Sequence, residues 1–363
     1  MKRLFLPVLA ITAITATGVF GATFMPIGVL SESPPSGVAQ SWVSAISPDG
    51  TWAVGYSHGP NSGGTGTIKQ PVVWSKATGL VQLPNPISTG FFVRGVVIRS
   101  QNGQIALSGS PDSGNTQMYT YQAPLTNVAG GSWAATSYGT TSVMGAQSLQ
   151  FNASRLQSGS GSAESWWTAG QNTGVLPNTG LRYGMDGAVT AEYRHVDDPT
   201  NRHAYGYSVS GNGLVAGLVR TAANTNARAA LLNNPGTGQT LIPGGSGNVS
   251  QALGISVDGN VLCGYDQGTV TQAFLWTQGD ASMTLLGMLA GDSSSQGFVV
   301  NNAKMVGGVS YTGTARSAVI WDTTGVWDTS GQPKKVWDQL AAAGNDLSTD
   351  CQNLTRVTSK SHD

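Results

Sequence analysis

One stretch concentrates the side chains that could do chemistry: Ala191-Glu-Tyr-Arg-His-Val-Asp-Asp-Pro-Thr-Asn-Arg-His203. It places Arg194, His195, Asp197, Asp198, Arg202 and His203, with Glu192, in one short segment of a chain only 10% charged. Imidazole changes charge near neutral pH, and guanidinium matches carboxylate geometry through paired donors. Together with carboxylates, these groups suit the grip of an acidic sugar, or an acid and base pair. The expected ligand-binding set is therefore Arg194, His195, Asp197, Asp198, Arg202 and His203. The plainer reading is a solvated loop whose charges pair locally.

Other chemical signatures are missing. The four histidines are His58, His195, His203 and His362. No His-Glu-x-x-His, Cys-x-x-Cys or calcium-loop pattern occurs, so neither metal nor cofactor is expected. Gly159-Ser-Gly-Ser162 reads as loop rather than the strand-to-helix elbow of a hydrolase. Asn61-Ser-Gly-Gly-Thr-Gly66 lacks the Lys-Ser/Thr and the helix that a phosphate cradle needs. No catalytic residue is assigned.

Composition narrows the partners. Lys and Arg number 18, matched by 18 Asp and Glu, and no basic run appears. Nucleic-acid binding thus lacks its electrostatic footprint. Lys2-Arg3, the apolar core Leu4 to Phe20, and small residues at Val19 and Gly21 read as an export signal spanning residues 1–21, cleaved near Ala22. An uncleaved anchor is the alternative. No later segment approaches the roughly 20 apolar residues of a membrane span. Residues 22–363 then form one exported domain, expected to be a monomer. Cys263 and Cys351 are compatible with a disulfide after export. Cys263, however, stands where other repeats carry Val54, Ala216 and Val306, which favours a small buried apolar role.

The elements that must position the charged segment come from a repeat. Ser44-Ala-Ile-Ser-Pro-Asp-Gly50 then Trp52-Ala-Val-Gly-Tyr-Ser57 is nearly repeated as Ile255-Ser-Val-Asp-Gly259 then Val261-Leu-Cys-Gly-Tyr265. Turns centred on Asp49-Gly50, Asn102-Gly103, Asn152-Ala153, Asn212-Gly213, Asp258-Gly259 and Asn302-Ala303 are, by subtraction, 53, 50, 60, 46 and 44 residues apart. Such periods match the roughly 40–50 residues of a propeller blade. Asp-Gly and Asn-Gly accept the positive φ of tight hairpins. A small-residue strand follows each turn and carries a glycine: Gly55, Gly109, Gly159, Gly217, Gly264 and Gly307. Glycine recurring at one strand phase implies close backbone approach, as near a central axis.

A third strand follows, as in Pro71-Val-Val-Trp74, Glu164-Ser-Trp-Trp167, Gln272-Ala-Phe-Leu-Trp276 and Ser317-Ala-Val-Ile-Trp321. A fourth follows it, as in Gly79-Leu-Val-Gln-Leu83 and Gly174-Val-Leu176. Four strands per repeat predict an all-β propeller. Trp74, Trp276 and Trp321 are expected to fill the space between blades. Trp337 to Ala343 is the one predicted helical turn.

Gln272-Ala-Phe-Leu-Trp276, Leu285-Leu-Gly-Met-Leu289 and Gly254-Ile-Ser-Val-Asp-Gly259 together resemble the bacterial extracellular HAF-repeat proteins. The resemblance is strongest in the first, fifth and sixth repeats. It implies export and a repeat architecture, and supplies no catalytic residues.

Phe24-Met-Pro-Ile-Gly-Val-Leu30 matches Leu285 to Leu289 in phase, so the exported chain opens on a fourth strand. Leu354 to Thr358 reads as a first strand, and Asp363 falls where a turn Asp belongs. The expectation is a seven-bladed propeller whose last blade is incomplete in this sequence; the rival is a six-bladed or open ring. For function, the leading expectation is a binding or surface-interaction module for a carbohydrate or cell-surface component. The alternatives are a polysaccharide lyase or glycosidase on the same scaffold, and a structural repeat of the cell envelope.

Overall fold

The structure is a computed structural model. It describes residues 27–30, 40–47, 49–60, 67–85, 90–99, 103–111, 118–128, 130, 133–138, 149–156, 166–172, 179–184, 189–193, 203–220, 226–234, 238–245, 249–323 and 332–342.

Those residues form an all-β propeller of six four-stranded antiparallel blades. Blade 1 contains β1 (Ser41–Ile46), β2 (Ala53–Pro60), β3 (Thr67–Ser75) and β4 (Gly79–Gln82). Blade 2 contains β5 (Phe91–Arg99), β6 (Gln104–Pro111), β7 (Met118–Pro124) and β8 (Ala134–Tyr138). Blade 3 contains β9 (Leu149–Leu156), β10 (Trp166–Asn172), β11 (Thr179–Gly184) and β12 (Val189–Tyr193). Blade 4 contains β13 (His203–Val209), β14 (Val215–Arg220), β15 (Ala227–Asn234) and β16 (Gly238–Leu241). Blade 5 contains β17 (Val249–Ile255), β18 (Val261–Gln267), β19 (Thr271–Thr277) and β20 (Thr284–Leu285). Blade 6 contains β21 (Ser294–Val300), β22 (Met305–Thr312), β23 (Ala315–Asp322) and β24 (Lys334–Lys335), followed by α1 (Val336–Ala342). First strands of adjacent blades pack on one another while fourth strands do not, so the first strands line the inside.

The recurring glycine has a cause inside its own blade. Every first strand carries a one-residue bulge, at Ser44, Arg94, Asn152, Tyr207, Leu253 and Phe298. Opposite the residue before each bulge stands a glycine of the second strand: Gly55, Gly109, Gly170, Gly217, Gly264 and Gly308. A Cβ at Gly55, Gly217, Gly264 or Gly308 would lie 1.8, 1.9, 1.8 or 2.0 Å from a first-strand carbonyl oxygen. The crowding comes from the bulged neighbour strand and not from the central axis. In the sixth blade the constrained glycine is Gly308, not Gly307.

The third repeat also departs from its expected phase. Asn152 and Ala153 lie within β9, and Asn152 is the bulge itself. The hairpin connection falls at 157–165, outside the described residues, so Trp166 and Trp167 begin the second strand, not the third. Gly170, rather than Gly159, takes the glycine position. The third and fourth strands are β11 and β12, not the segments ending at Trp167 and Leu176. In the sixth blade the left-handed turn residue is Lys304 (φ 57°), where Ala303 was expected to take the glycine place.

Blades interlock through apolar sheet faces. Trp276 joins Ala216, Ala229 and Leu231 of blade 4 to Leu262 and Phe274 of blade 5. Trp321 does the same between Cys263 and Leu275 of blade 5 and Val306 and Val319 of blade 6. Trp74 is buried against Val43, Ala53 and Ile27. Ile27 thus meets Trp74 as Leu286 meets Trp321. Leu30 N–H donates to Ser57 Oγ (2.9 Å) as Leu289 N–H donates to Ser310 Oγ (3.0 Å). The 27–30 segment therefore sits on blade 1 as the end of blade 5 sits on blade 6, in agreement with its sequence phase. The far face of blade 6 is covered by α1, whose Val336 and Leu340 pack on Met305, Ala318 and Ile320. α1 begins one residue before the predicted helical turn. The expected start of a seventh blade, Leu354 to Asp363, lies outside the described residues, as does the export signal.

Candidate functional site

The two ends of the blades differ in chemistry. The face carrying the first-to-second-strand turns is closed by structural hydrogen bonds. Ser47, Ser210 and Ser256 each accept from a backbone N–H across the turn, at Trp52, Leu214 and Val261. Their hydroxyls donate to Asp49, Asn212 and Asp258. The turns also bond to one another. Arg182 lies over the Trp167 ring (4.5 Å) and donates to Gly213 O (2.5 Å). Asn212 Nδ2 donates to Asp258 O (3.0 Å), and Asp258 N–H donates to Asn302 Oδ1 (3.2 Å). Blades 3 to 6 are tied in series. Burial works against the Asp258 and Asp49 charges, yet hydroxyl and amide donors from Ser256, Asn260, Ser47 and Thr51 hold both carboxyls below the usual range.

The opposite rim gathers aromatic and cationic groups. His203 opens β13, is buried (6% exposed) and stacks on Tyr205 with centroids 6.2 Å apart. Arg220, paired with His203 across the β13–β14 ladder, lies 5.4 Å over the Tyr205 ring. Tyr207 is the bulge residue of blade 4; bulges re-aim side chains, and its phenol couples electrostatically to Arg220, Tyr265 and Tyr205. Tyr265 of blade 5 couples in turn to Arg220 and to Tyr311 of blade 6. Gln296 Nε2 reaches Tyr311 Oη (3.5 Å), and Arg316 lies 5.4 Å over the Tyr311 ring. Contacts within blade 4 join His203, Tyr205 and Arg220, contacts within blade 6 join Gln296, Tyr311 and Arg316, and Tyr265 of the intervening blade 5 lies within electrostatic range of Arg220 and Tyr311.

Blade 1 repeats the device. Lys69 Nζ lies 5.4 Å over Tyr56, Tyr56 stacks on His58, and Gln40 Nε2 bonds the His58 ring (3.1 Å). Lys69 and Arg316 occupy the same register, opposite His58 and Tyr311.

Burial sets the protonation of this rim. It pushes the Tyr207 and Tyr265 phenols upward, so both stay neutral donors at physiological pH. Burial and the Arg220 charge push His203 downward, toward neutral imidazole. Among the described side chains of blades 4 to 6, two carboxylates stand near this level: Asp266 is 1% exposed, and half-buried Asp292 accepts from Ser310 Oγ (2.6 Å). No cluster of His, Cys, Asp or Glu that could hold a metal occurs among the described residues.

Of the six residues expected to form the site, the structure describes only His203. Arg194, His195, Asp197, Asp198 and Arg202 lie outside the described residues. Ala191 to Tyr193 complete β12 and His203 begins β13, so the ends of the charged stretch are strand rather than loop. Sequence reading missed Tyr205, Tyr207, Arg220, Tyr265, Tyr311 and Arg316. One signal was available: Tyr or a cation recurs just beyond the bulge-facing glycine, at Tyr56, Arg220, Tyr265 and Tyr311.

Cys263 is a free, fully buried thiol, and burial pushes its pKa upward. Cys351 lies outside the described residues.

No family model matches the chain, and no curated protein does. Among solved structures, it is similar to the β-propeller domain of the Trilobed protease from Pyrococcus furiosus, at 8% identity and TM-score 0.47, covering 81% of this chain and 82% of that one. It is similar to the propeller domain of Cps50 (Swd1) from Myceliophteria thermophila at 12% identity and TM-score 0.45, covering 78% and 84%. It also resembles an acylaminoacyl peptidase from Pyrococcus horikoshii at 9% identity and TM-score 0.49, covering 82% of this chain and 46% of that protein. Such identities speak to fold alone, and the propeller assignment rests on the six blades themselves.

Proposed function

We propose that this chain is an exported propeller that binds a carbohydrate or cell-surface component through the aromatic rim of blades 4 to 6. The observation that carries the reading is that Tyr205 with Arg220, Tyr265, and Tyr311 with Arg316 stand at the same end of three adjacent blades. Phenol rings present both an apolar face and a hydroxyl, the pairing that a sugar ring needs. Export is supported by Lys2-Arg3 and the apolar run to Phe20. The HAF-repeat resemblance supports the same compartment.

Catalysis is the second reading, because a Tyr, His and Arg set does converge here. Two features weigh against it. Burial holds the Tyr207 and Tyr265 phenols protonated, so these two supply no base near neutrality. Most glycosidases flank the scissile bond with two carboxylates, and among the described side chains of blades 4 to 6 the rim offers buried Asp266 and hydrogen-bonded Asp292. A glycan array probed with the exported chain, followed by assays for new reducing ends and unsaturated uronates, tests both. Binding without product release is expected. Product release, or no glycan bound, contradicts the proposal. Sequencing the N-terminus of secreted protein checks export, with Ala22 as the expected first residue.

A further inference from the structure

Among the described residues, three aromatic–cation contacts lie at this rim: Lys69 over Tyr56, Arg220 over Tyr205 and Arg316 over Tyr311. The chain is neutral overall and poor in charge. Lys69, Arg220 and Arg316, each held over a phenol ring at one end of the blades, place cations beside apolar ring faces there. A neutral glycan would need the phenols and glutamines but not the guanidinium groups. Arginine is suited to carboxylate, because its planar fork donates two parallel hydrogen bonds and loses less hydration than an ammonium.

We propose that the ligand is an anionic polysaccharide of the uronic-acid class. Its sugar rings lie along Tyr205, Tyr265 and Tyr311, and its carboxylates are taken by Arg220 and Arg316. The inference rests on the rim being the binding surface, and it adds the charge of the ligand. Nucleic acid, the other common polyanion, is disfavoured because it is gripped through many phosphates by extended basic tracts, which this chain lacks.

The test is isothermal titration of the full exported chain with polygalacturonate, fully methyl-esterified polygalacturonate and a neutral xyloglucan, without added calcium. The expected result is binding to polygalacturonate that falls at least ~10-fold on esterification, and falls similarly in Arg316→Gln, the loss of one charge-assisted pair. Arg316 is exposed, so this change leaves folding intact. Arg220→Lys is expected to retain more affinity than Arg220→Gln, with thermal melting confirming both folded. Absence of polygalacturonate binding, or equal binding of the esterified polymer, overturns the inference. If Tyr265→Ala weakens binding of any glycan while the arginine variants do not, the charge assignment fails and the rim reading stands. If a bound glycan is indifferent to Tyr265→Ala, the rim reading itself fails.

Discussion

At the scale of single residues, position decides what each group can do. Gly264 is fixed by a carbonyl oxygen 1.8 Å from where a Cβ would stand. Backbone, unlike a flexible side chain, cannot step aside, so Gly264→Ala is expected to cost roughly 3–5 kcal/mol, at the severe end for point changes. Urea unfolding measures it, and a cost below about 1 kcal/mol would contradict the bulge explanation. Asp258 illustrates charge. Its folded pKa lies below the ordinary 3.8, so its stabilisation is present above that value and is lost as pH falls through the lower, folded one. Asp258→Asn is therefore expected to flatten the acid limb of the urea midpoint below about pH 4. An unchanged limb would remove Asp258 from the acid response. Cys263, buried with its pKa raised, is expected to react with a thiol reagent only as fast as the protein unfolds.

At the scale of elements, the hairpin was legible wherever its turn kept Asp-Gly or Asn-Gly. In the third repeat that signal failed. Asn152 resembled a turn residue, but it is the bulge of β9, and the strand pattern on either side was read one element out of step. An Asn with a small neighbour suits both roles, so local text alone could not separate them. The glycine at Gly170 could have, because it pairs with the residue before the bulge. The sixth turn shows the same ambiguity on a smaller scale, since Lys304 holds the left-handed conformation usually given to glycine. A left-handed L-residue costs about 1–2 kcal/mol, partly offset by the greater unfolded freedom of glycine. Lys304→Gly is accordingly expected to raise the unfolding free energy by up to about 1 kcal/mol; a clear loss would mean the lysine side chain stabilises the turn.

At the scale of the whole molecule, the six described blades present one face whose turns are hydrogen-bonded from blade 3 to blade 6, and one face of aromatic and cationic groups. The turn face was foreshadowed by its Asp and Asn turns, although their bonding from blade to blade was not. The aromatic face was almost invisible in the sequence. Tyr205 and Arg220 share one hairpin and Tyr311 and Arg316 another, but the Tyr205, Tyr265 and Tyr311 groups lie about 50 residues apart, and only the side-by-side packing of blades 4 to 6 sets them at the same end. The charged stretch before His203 caught attention because its residues are neighbours in sequence, and of the set it named only His203 can be placed. The central claim is that ligand binding belongs to the rim and not to the turns. Its most direct test compares glycan-array binding by wild type, Tyr265→Ala on the rim and Asn212→Ala on the turn face. Tyr265→Ala is expected to lose at least ~10-fold in affinity, the scale of one lost aromatic–sugar contact, while Asn212→Ala binds as wild type does. Binding abolished by Asn212→Ala and untouched by Tyr265→Ala would contradict it.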